Sequence, residues 1–155
     1  MEQKKMNNKG FSLVELIIVI AIMAILVGVL APQFIKYVEK SRVSRDVQNV
    51  EEMKTAVEIG VADAGAAGTS ISSDITITIN GGSTKTTAIG GGATTTGFDL
   101  GGVPTSGKLS SGNWPDSTIT FTYSCTGTSP TYKWSTTTTT DYKTGDGDMK
   151  AVFGL

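Results

Sequence analysis

Hydrophobic and polar positions divide the chain into regions of different character. Residues 11–31, FSLVELIIVIAIMAILVGVLA, are almost entirely apolar. As a helix they would span about 30 Å, the thickness of a bilayer's hydrocarbon core. Residues 65–148 are instead dominated by Gly, Thr and Ser. The first region predicts a membrane-spanning helix, and the last predicts a domain that lies in water.

Between these regions, apolar residues recur at steps of three to five, which predicts that the helix continues with one apolar face. Charged residues fill the opposite face, where Arg42 and Asp46 have the spacing of a helical ion pair. These charges form either a solvated face or bridges to other chains. The apolar stripe consists of Ile35, Val38, Val43, Val47, Val50, Met53, Val57 and Val61.

The whole helix is expected to run from Phe11 to about Ala64, before the Gly- and Ala-rich residues 64–68. It would be about 80 Å long, so its first half is expected to protrude from any small domain. Gly28 and Pro32 interrupt that half, and proline removes a backbone donor and crowds the preceding turn. A kink at these two residues is predicted, with a simple curve as the alternative.

Residues 75–79 and 119–125 alternate apolar with polar side chains and predict two half-buried strands. The second should form an antiparallel hairpin with residues 132–134. The apolar face of the sheet needs a cover, and the stripe of the long helix supplies one. The predicted fold is therefore α+β, a long N-terminal helix packed on a small antiparallel sheet.

The less regular parts of the C-terminal region support only coarse structural predictions. Residues 81–112 are expected to form exposed loops anchored by Phe98 and Leu100, and residues 149–153 to add a last strand. The run at 90–94 lacks the lysine of a phosphate-binding loop. Residues 136–140, all Thr, form either a strand edge or a site of glycosylation.

Composition argues against an enzyme. The chain has no histidine and one cysteine, so the commonest general base and the usual catalytic dyads are missing. Thirteen Lys and Arg against fourteen Asp and Glu give a formal net charge of −1, which does not favour a nucleic-acid site. No cofactor is expected.

A metal site and a reactive thiol have little support. Asp141, Asp146 and Asp148 are the candidate oxygen donors for calcium, but no bidentate glutamate follows at EF-hand spacing. Cys125, inside a predicted strand, fits a small buried hydrophobe better than a reactive thiol. A single cysteine also means that no internal disulfide can form.

The N-terminal segment contains one residue that a plain signal peptide or membrane anchor would not need. Lysines before the apolar run predict that this end stays in the cytoplasm. Glu15 then lies inside the run, where an acidic residue costs about 2.5–3.5 kcal/mol on insertion scales. The many aliphatic residues outweigh that cost, so insertion is still expected, but an acid in such a span indicates a function and a partner.

Residues 9–16, KGFSLVEL, resemble the cleavage and assembly motif of type IV pilins and of the pseudopilins of type II secretion. The resemblance implies that a membrane-embedded prepilin peptidase recognises Lys9 and Gly10, cuts after Gly10 and N-methylates Phe11. Cutting would free an amine on Phe11, and Glu15 of a neighbouring copy would neutralise it, which fixes the register of assembly.

The resemblance also implies boundaries: a leader at 1–10, a transmembrane and filament-core helix at 11–32, its amphipathic half at 33–66, and a Gly/Thr-rich β-sheet head at 67–155. The expected function is that of a type IV pilus subunit, serving motility, adhesion or DNA uptake. Expected partners are copies of itself in a helical filament, the peptidase and methyltransferase, the pilus assembly platform and, before assembly, the membrane.

Two other functions compete. A pseudopilin of a type II secretion or competence system would share the N-terminal chemistry and differ in destination. A membrane-anchored or secreted enzyme or binding protein would instead start near residue 34 or keep its N-terminus uncut. Many Gram-negative pilins close their C-terminal region with a disulfide, so the single cysteine points to a Gram-positive source.

Overall fold

The computed structural model describes residues 10–82, 84–92, 99–126, 131–138, 142–145 and 147–155. The chain forms two compact units, one ending at Val38 and the other comprising Glu39–Leu155. The first helix, α1 (Leu13–Ala66, 54 residues), contributes to both units. The predicted helix from Phe11 to about Ala64 is thus confirmed to within two residues at each end.

The first unit consists of the apolar part of α1 and the residues that precede it. All its described residues from Gly10 to Tyr37 are exposed, although most are Ile, Leu, Val, Ala and Met. Leu, Ala and Met have high helix propensity, and the Ile and Val residues lose little once a long helix has nucleated. Gly28 and Pro32 both lie within α1. A kink at these residues remains a prediction.

The second unit begins where α1 acquires a buried face. From Val43 onward the buried residues recur every three or four positions, as expected for one face of a helix. The predicted stripe is confirmed for this part, whereas Ile35 is exposed and Val38 is only half-buried. The buried residues of the face are Val43, Asp46, Val50, Met53, Ala56, Val57, Gly60, Val61 and Ala64.

A five-stranded antiparallel sheet has the order β3-β2-β1-β4-β5. Its strands are β1 (Ile75–Asn80), β2 (Thr86–Gly91), β3 (Ser106–Lys108), β4 (Thr118–Tyr123) and β5 (Trp134–Thr136). The register places Ile77 of β1 between Ile89 of β2 and Phe121 of β4. The two strands and the hairpin predicted from sequence are therefore confirmed.

The sheet and α1 enclose one hydrophobic core. The three isoleucines of β1 are fully buried, and each such side chain contributes about 1.5–3 kcal/mol relative to an exposed one. Phe153 stacks on Phe121 with ring centroids 3.9 Å apart and meets Trp134 edge-on at 4.7 Å. The α+β fold predicted from the sequence is the observed one.

Residues 81–112 contain two strands, so the expectation of exposed loops was wrong for that region. β2 buries Thr87 and Ile89 although it is rich in glycine, and β3 pairs with β2 at the edge. The glycine run expected to be loop reaches into β2 at Gly90 and Gly91. Leu100 is buried, as predicted for an anchor, whereas Phe98 lies outside the described residues.

The expected last strand at 149–153 is also wrong, because Met149–Val152 form a short helix, α2. Asp148 caps it, accepting hydrogen bonds from the backbone N–H of Lys150 and of Ala151. A carboxylate at the N-cap satisfies donors that a strand would have paired with a neighbour. Met149 and Phe153, which suggested a strand, are buried from a helical turn instead.

A two-stranded ribbon precedes α2, formed by β6 (Lys143–Thr144) and β7 (Gly147–Asp148). A Cβ atom at Gly147 would lie 2.6 Å from Val43 Cγ1 and 3.0 Å from the Trp114 ring. Only glycine therefore lets the ribbon approach α1 this closely.

Asp46 is buried rather than solvated, which corrects its predicted pairing with Arg42. Its carboxylate accepts hydrogen bonds from Ser110 N at 2.6 Å, Ser111 N at 2.9 Å and Trp114 Nε1 at 2.8 Å. Arg42 lies 3.4 Å from Glu39 instead. Asp46 thus fastens the segment that leads into β4 to α1.

Candidate functional site

The backbone around Gly10 and Phe11 is open to solvent. Both residues precede the first residue of α1, and the Phe11 side chain is 90% exposed. A Cβ atom at Gly10 would meet nothing within 4 Å. The peptide bond between them precedes the helix. A peptidase can therefore bind this part of the backbone without first unwinding a helix. Lys9 lies outside the described residues.

Glu15 caps the helix in which it lies. Its Oε2 accepts a hydrogen bond of 2.9 Å from the backbone N–H of Ser12, and the Ser12 carbonyl accepts the first helical bond from Leu16 N. A serine followed three residues later by a glutamate that reaches back in this way is one half of a capping box. The bond satisfies one of the donors that a helix leaves unpaired at its start.

This capping role is a feature that the sequence reasoning above missed, although its signal was present. The pattern S-x-x-E ahead of an apolar run marks a helix start. A carboxylate is also favoured at a helix N-terminus because the helix dipole is positive there. These two effects lower the cost of keeping a charged Glu15 at the edge of an apolar segment.

The apolar part of α1 is long enough to cross a membrane. Among the described residues, α1 is the one helix with both the length and the hydropathy required. None of its most apolar window is buried within the chain. An apolar surface this large is covered by lipid or by protein in any stable state.

The candidate calcium donors are not brought together by the residues that can be described. Asp148 is the N-cap of α2, while Asp141 and Asp146 lie outside the described residues. Within the described part of the chain, no group of three His, Cys, Asp or Glu residues is placed to hold a metal ion.

Cys125 is half-buried beside the hydrophobic core, and burial raises the pKa of its thiol. Its backbone N–H donates to Asp74 Oδ1 at 3.0 Å, and Thr126 donates to the same oxygen from both its N–H and its hydroxyl. The Thr126 hydroxyl is the main reason that the pKa of Asp74 is lowered. This carboxylate ties the end of β4 to the start of β1.

The comparison with protein families finds a match at the N-terminus. The family described as "Prokaryotic N-terminal methylation motif" matches residues 5–31, which include the Gly10–Phe11 bond and Glu15. Proteins similar to the chain extend the match beyond that motif. "Type IV major fimbrial protein FimA" of Dichelobacter nodosus is 44% identical over 64 residues, 41% of each chain. Over this length the chain is similar to a type IV fimbrial protein.

Two further relatives show how far the resemblance extends. "Fimbrial protein Q" of Moraxella bovis is 37% identical over 83 residues, half of this chain and 53% of the relative. "Prepilin peptidase-dependent protein A" of Clostridium perfringens is 37% identical over 62 residues, 40% of this chain and 44% of the relative. The matches therefore cover between 41% and 53% of these three curated relatives.

No solved structure matches the chain significantly. Most of the similar proteins are named as fimbrial or pilin proteins. The Gram-positive source expected from the single cysteine remains a prediction.

Proposed function

We propose that this chain is a type IV pilin, the structural subunit of a type IV pilus. It is inserted in the membrane by α1, cleaved after Gly10, N-methylated on Phe11 and polymerised into a surface filament. The observation that carries the proposal is the methylation motif at residues 5–31, joined to a helix whose apolar surface has no cover within the chain. That surface is then covered by lipid before assembly and by other copies afterwards.

The division of labour within the chain follows from this proposal. Residues 1–10 are the leader, 11–32 the transmembrane and filament-core helix, 33–66 its amphipathic half and 67–155 the head. In the membrane the head lies outside the cytoplasm, and in the pilus it faces the medium. The role is structural rather than enzymatic, and motility, adhesion or DNA uptake belongs to the filament as a whole.

Glu15 acts at two stages in the proposed pathway. Before assembly its carboxylate accepts the Ser12 N–H of its own chain. During assembly it pairs with the Phe11 amine of a neighbouring copy, since two opposite charges in a low-dielectric core are far less costly together than apart. The pair sets the axial register between copies.

Partners other than further copies follow from the same steps. The prepilin peptidase and methyltransferase act on Lys9, Gly10 and Phe11, and the pilus assembly platform extracts the processed subunit from the membrane. The kink proposed at Gly28 and Pro32 lets the filament core bend or unwind locally. The methyl donor is bound by the methyltransferase, and the chain itself holds no metal or cofactor in this proposal.

Mass spectrometry of the mature chain tests the processing step. The expected mature chain begins with a methylated Phe11, and replacing Gly10 by Leu should leave uncut precursor in the membrane because the peptidase must approach the backbone closely. Gly65→Leu is the matched control and should not affect cleavage, because Gly65 is an exposed glycine near the other end of α1. A wild-type chain starting near residue 34 would contradict the proposal.

Two variants of Glu15 separate its charge from its capping role. Glu15→Gln keeps an oxygen that can accept the Ser12 N–H, as glutamine does in capping boxes, but has no charge. Glu15→Ala loses both. If the carboxylate pairs with the amine, both variants should be cut and inserted normally, and both should form at least about tenfold fewer filaments. Normal assembly of the Glu15→Gln variant would reduce Glu15 to a helix cap.

A further inference from the structure

An open groove runs along one face of α1 within the second unit. One wall is the surface of α1 between Gln48 and Asp63, and the other is the segment 99–103. Its volume is about 730 Å³, large enough for several side chains of a partner. The groove is shaped by the chain itself, since Asp99 accepts the Gly101 N–H at 2.9 Å and Leu100 is anchored in the core.

The groove combines an apolar surface with a negative charge. Ile59, which lines it, is 56% exposed, an unusual position for a large aliphatic side chain of the second unit. None of the described lining residues is basic. The acidic side chains do not form a metal site, because no such cluster exists among the residues that the structure describes. The acidic lining residues are Glu51, Glu52, Asp63 and Asp99.

A segment of opposite character precedes the groove on α1. Residues 34–45, the basic segment, carry four cations and three exposed large apolar side chains. Both acids near them have partners within the chain, and Glu39 also lies 3.4 Å from Arg42. Glu39 accepts a hydrogen bond from Ser111 Oγ, and Asp46 is buried by its three bonds. The cations are Lys36, Lys40, Arg42 and Arg45, and the apolar residues are Phe34, Ile35 and Tyr37.

The basic segment cannot occupy the groove of its own chain. Arg42 and Arg45 lie on the same helix as the groove acids Glu51 and Glu52, on average about 8 residues before them, which corresponds to about 12 Å along the axis. A continuous helix cannot fold back over that distance. A second copy, lying parallel and displaced by about 12 Å, would bring its Arg42 and Arg45 level with these acids.

We propose that the groove is a subunit-subunit docking surface that receives the basic segment of another copy of the chain. The inference rests on the proposed function, because a filament supplies parallel copies displaced along one axis. Opposite charges then select the displacement, since a shift of either sign places like charges together or leaves both sets unpaired.

Reversal of charge on each side tests the proposal in the full chain, expressed in a pilus-bearing cell that lacks its own copy. The groove variant is Glu51→Lys with Glu52→Lys, and the segment variant is Arg42→Glu with Arg45→Glu. Each should lower the yield of sheared filaments at least about tenfold, whereas all four changes together should restore it to within about threefold of wild type. These four side chains are exposed, so the core is untouched.

A matched control carries the same change of charge elsewhere. Lys108→Glu with Lys133→Glu alters two exposed cations outside the basic segment and should leave filament yield unchanged. Wild-type yield in the groove variant would overturn the proposal. The proposal would also be overturned if the fourfold variant gave no higher filament yield than the poorer of the two double variants. Such a result would mean that the two sites do not attract each other.

A second measurement covers the case in which a reversed chain fails to fold. Glu51→Gln with Glu52→Gln removes charge at almost constant shape. Wild-type filaments should shorten as salt is raised from 0.05 to 0.5 M, because the exposed pairs are screened, and the Gln variant should lose most of that dependence. An identical salt response in both would overturn the proposal.

The mature N-terminus of every variant separates this proposal from the proposed function. Chains that begin at methylated Phe11 and form filaments regardless of the reversals refute the groove alone. A wild-type chain that is neither cut at Gly10 nor found in filaments refutes the proposed function, and with it the setting in which the groove would act.

Discussion

Replacement of Asp46 should destabilise the second unit more than any other single change to a charged residue of α1. The carboxylate is fully buried and accepts three hydrogen bonds, from Ser110 N, Ser111 N and Trp114 Nε1. Asp46→Ala would leave three N–H donors in the interior without a partner. Trp114 would suffer most, because it is itself buried and stacks on Tyr142 with ring centroids 5.9 Å apart.

The magnitude follows from those bonds. A hydrogen bond to a charged group contributes about 1.5–3 kcal/mol, and losses within one network are not additive, so Asp46→Ala should lower the free energy of unfolding by about 3–5 kcal/mol. Asp46→Asn should cost about 1.5–3 kcal/mol. Its oxygen can replace Oδ2, which serves Ser111 and Trp114, but its NH₂ group would then face the N–H of Ser110.

Urea unfolding of the detergent-solubilised chain, followed by tryptophan fluorescence, measures this loss. Glu58 provides the matched comparison, because its half-buried carboxylate accepts one bond, from Trp134 Nε1 at 2.8 Å. Glu58→Ala should cost about 1–2 kcal/mol and Glu58→Gln less than about 1. The reasoning would be refuted if Asp46→Ala cost less than about 1 kcal/mol, or no more than Glu58→Ala.

Two further changes concern hydroxyl and carboxyl groups of the head. Burial, with the charge of Asp116, raises the pKa of Tyr142 to about 12, and its Oη has no hydrogen-bond partner among the described residues. Tyr142→Phe should therefore stabilise the chain by about 0–2 kcal/mol at neutral pH. It should also abolish the loss of stability that the wild-type chain shows as the pH rises from about 10 to 12. A destabilisation above about 1 kcal/mol in urea unfolding would contradict this reasoning. The hydrogen bond from Thr126 is the largest of the causes that lower the pKa of Asp74. Asp74→Asn should lower the free energy of unfolding by about 1–2 kcal/mol at pH 7. In thermal melts the wild-type chain should lose this advantage as the pH falls below about 4, because its carboxylate is then protonated. A difference between the two chains that does not depend on pH would refute the reasoning.

The elements that could be predicted from the sequence are those with strong periodicity. β1 alternates Ile with Thr, and β4 alternates apolar with polar positions through Phe121, so each declares its buried face locally. β2 has only Thr87 and Ile89 on its buried side, within a glycine-rich segment. Its strand conformation is therefore determined by pairing with β1 rather than by a local sequence pattern. α2 is four residues long, too short for any period, and depends on the Asp148 cap.

Asp46 shows why parts of the core could not be predicted. On α1 it is one acid among many charged residues, and its sequence neighbours suggest a surface pair with Arg42. The group that decides its burial, the Trp114 indole, lies 68 positions away along the chain. A contact of this kind leaves no local sequence pattern, because the residues around Asp46 look the same whether its side chain is buried or exposed to solvent.

Glu15 was singled out because a charge in an apolar run is costly, and the structure adds a reason why the cost is bearable. In the single chain the carboxylate accepts the Ser12 N–H, and the bond is exposed. Exposed caps contribute about 1 kcal/mol, enough to hold the side chain over the helix terminus but little compared with pairing to a cation in a water-free core. An exchange from the cap to the Phe11 amine of a neighbour would therefore be downhill only where water is excluded, that is, inside a growing filament.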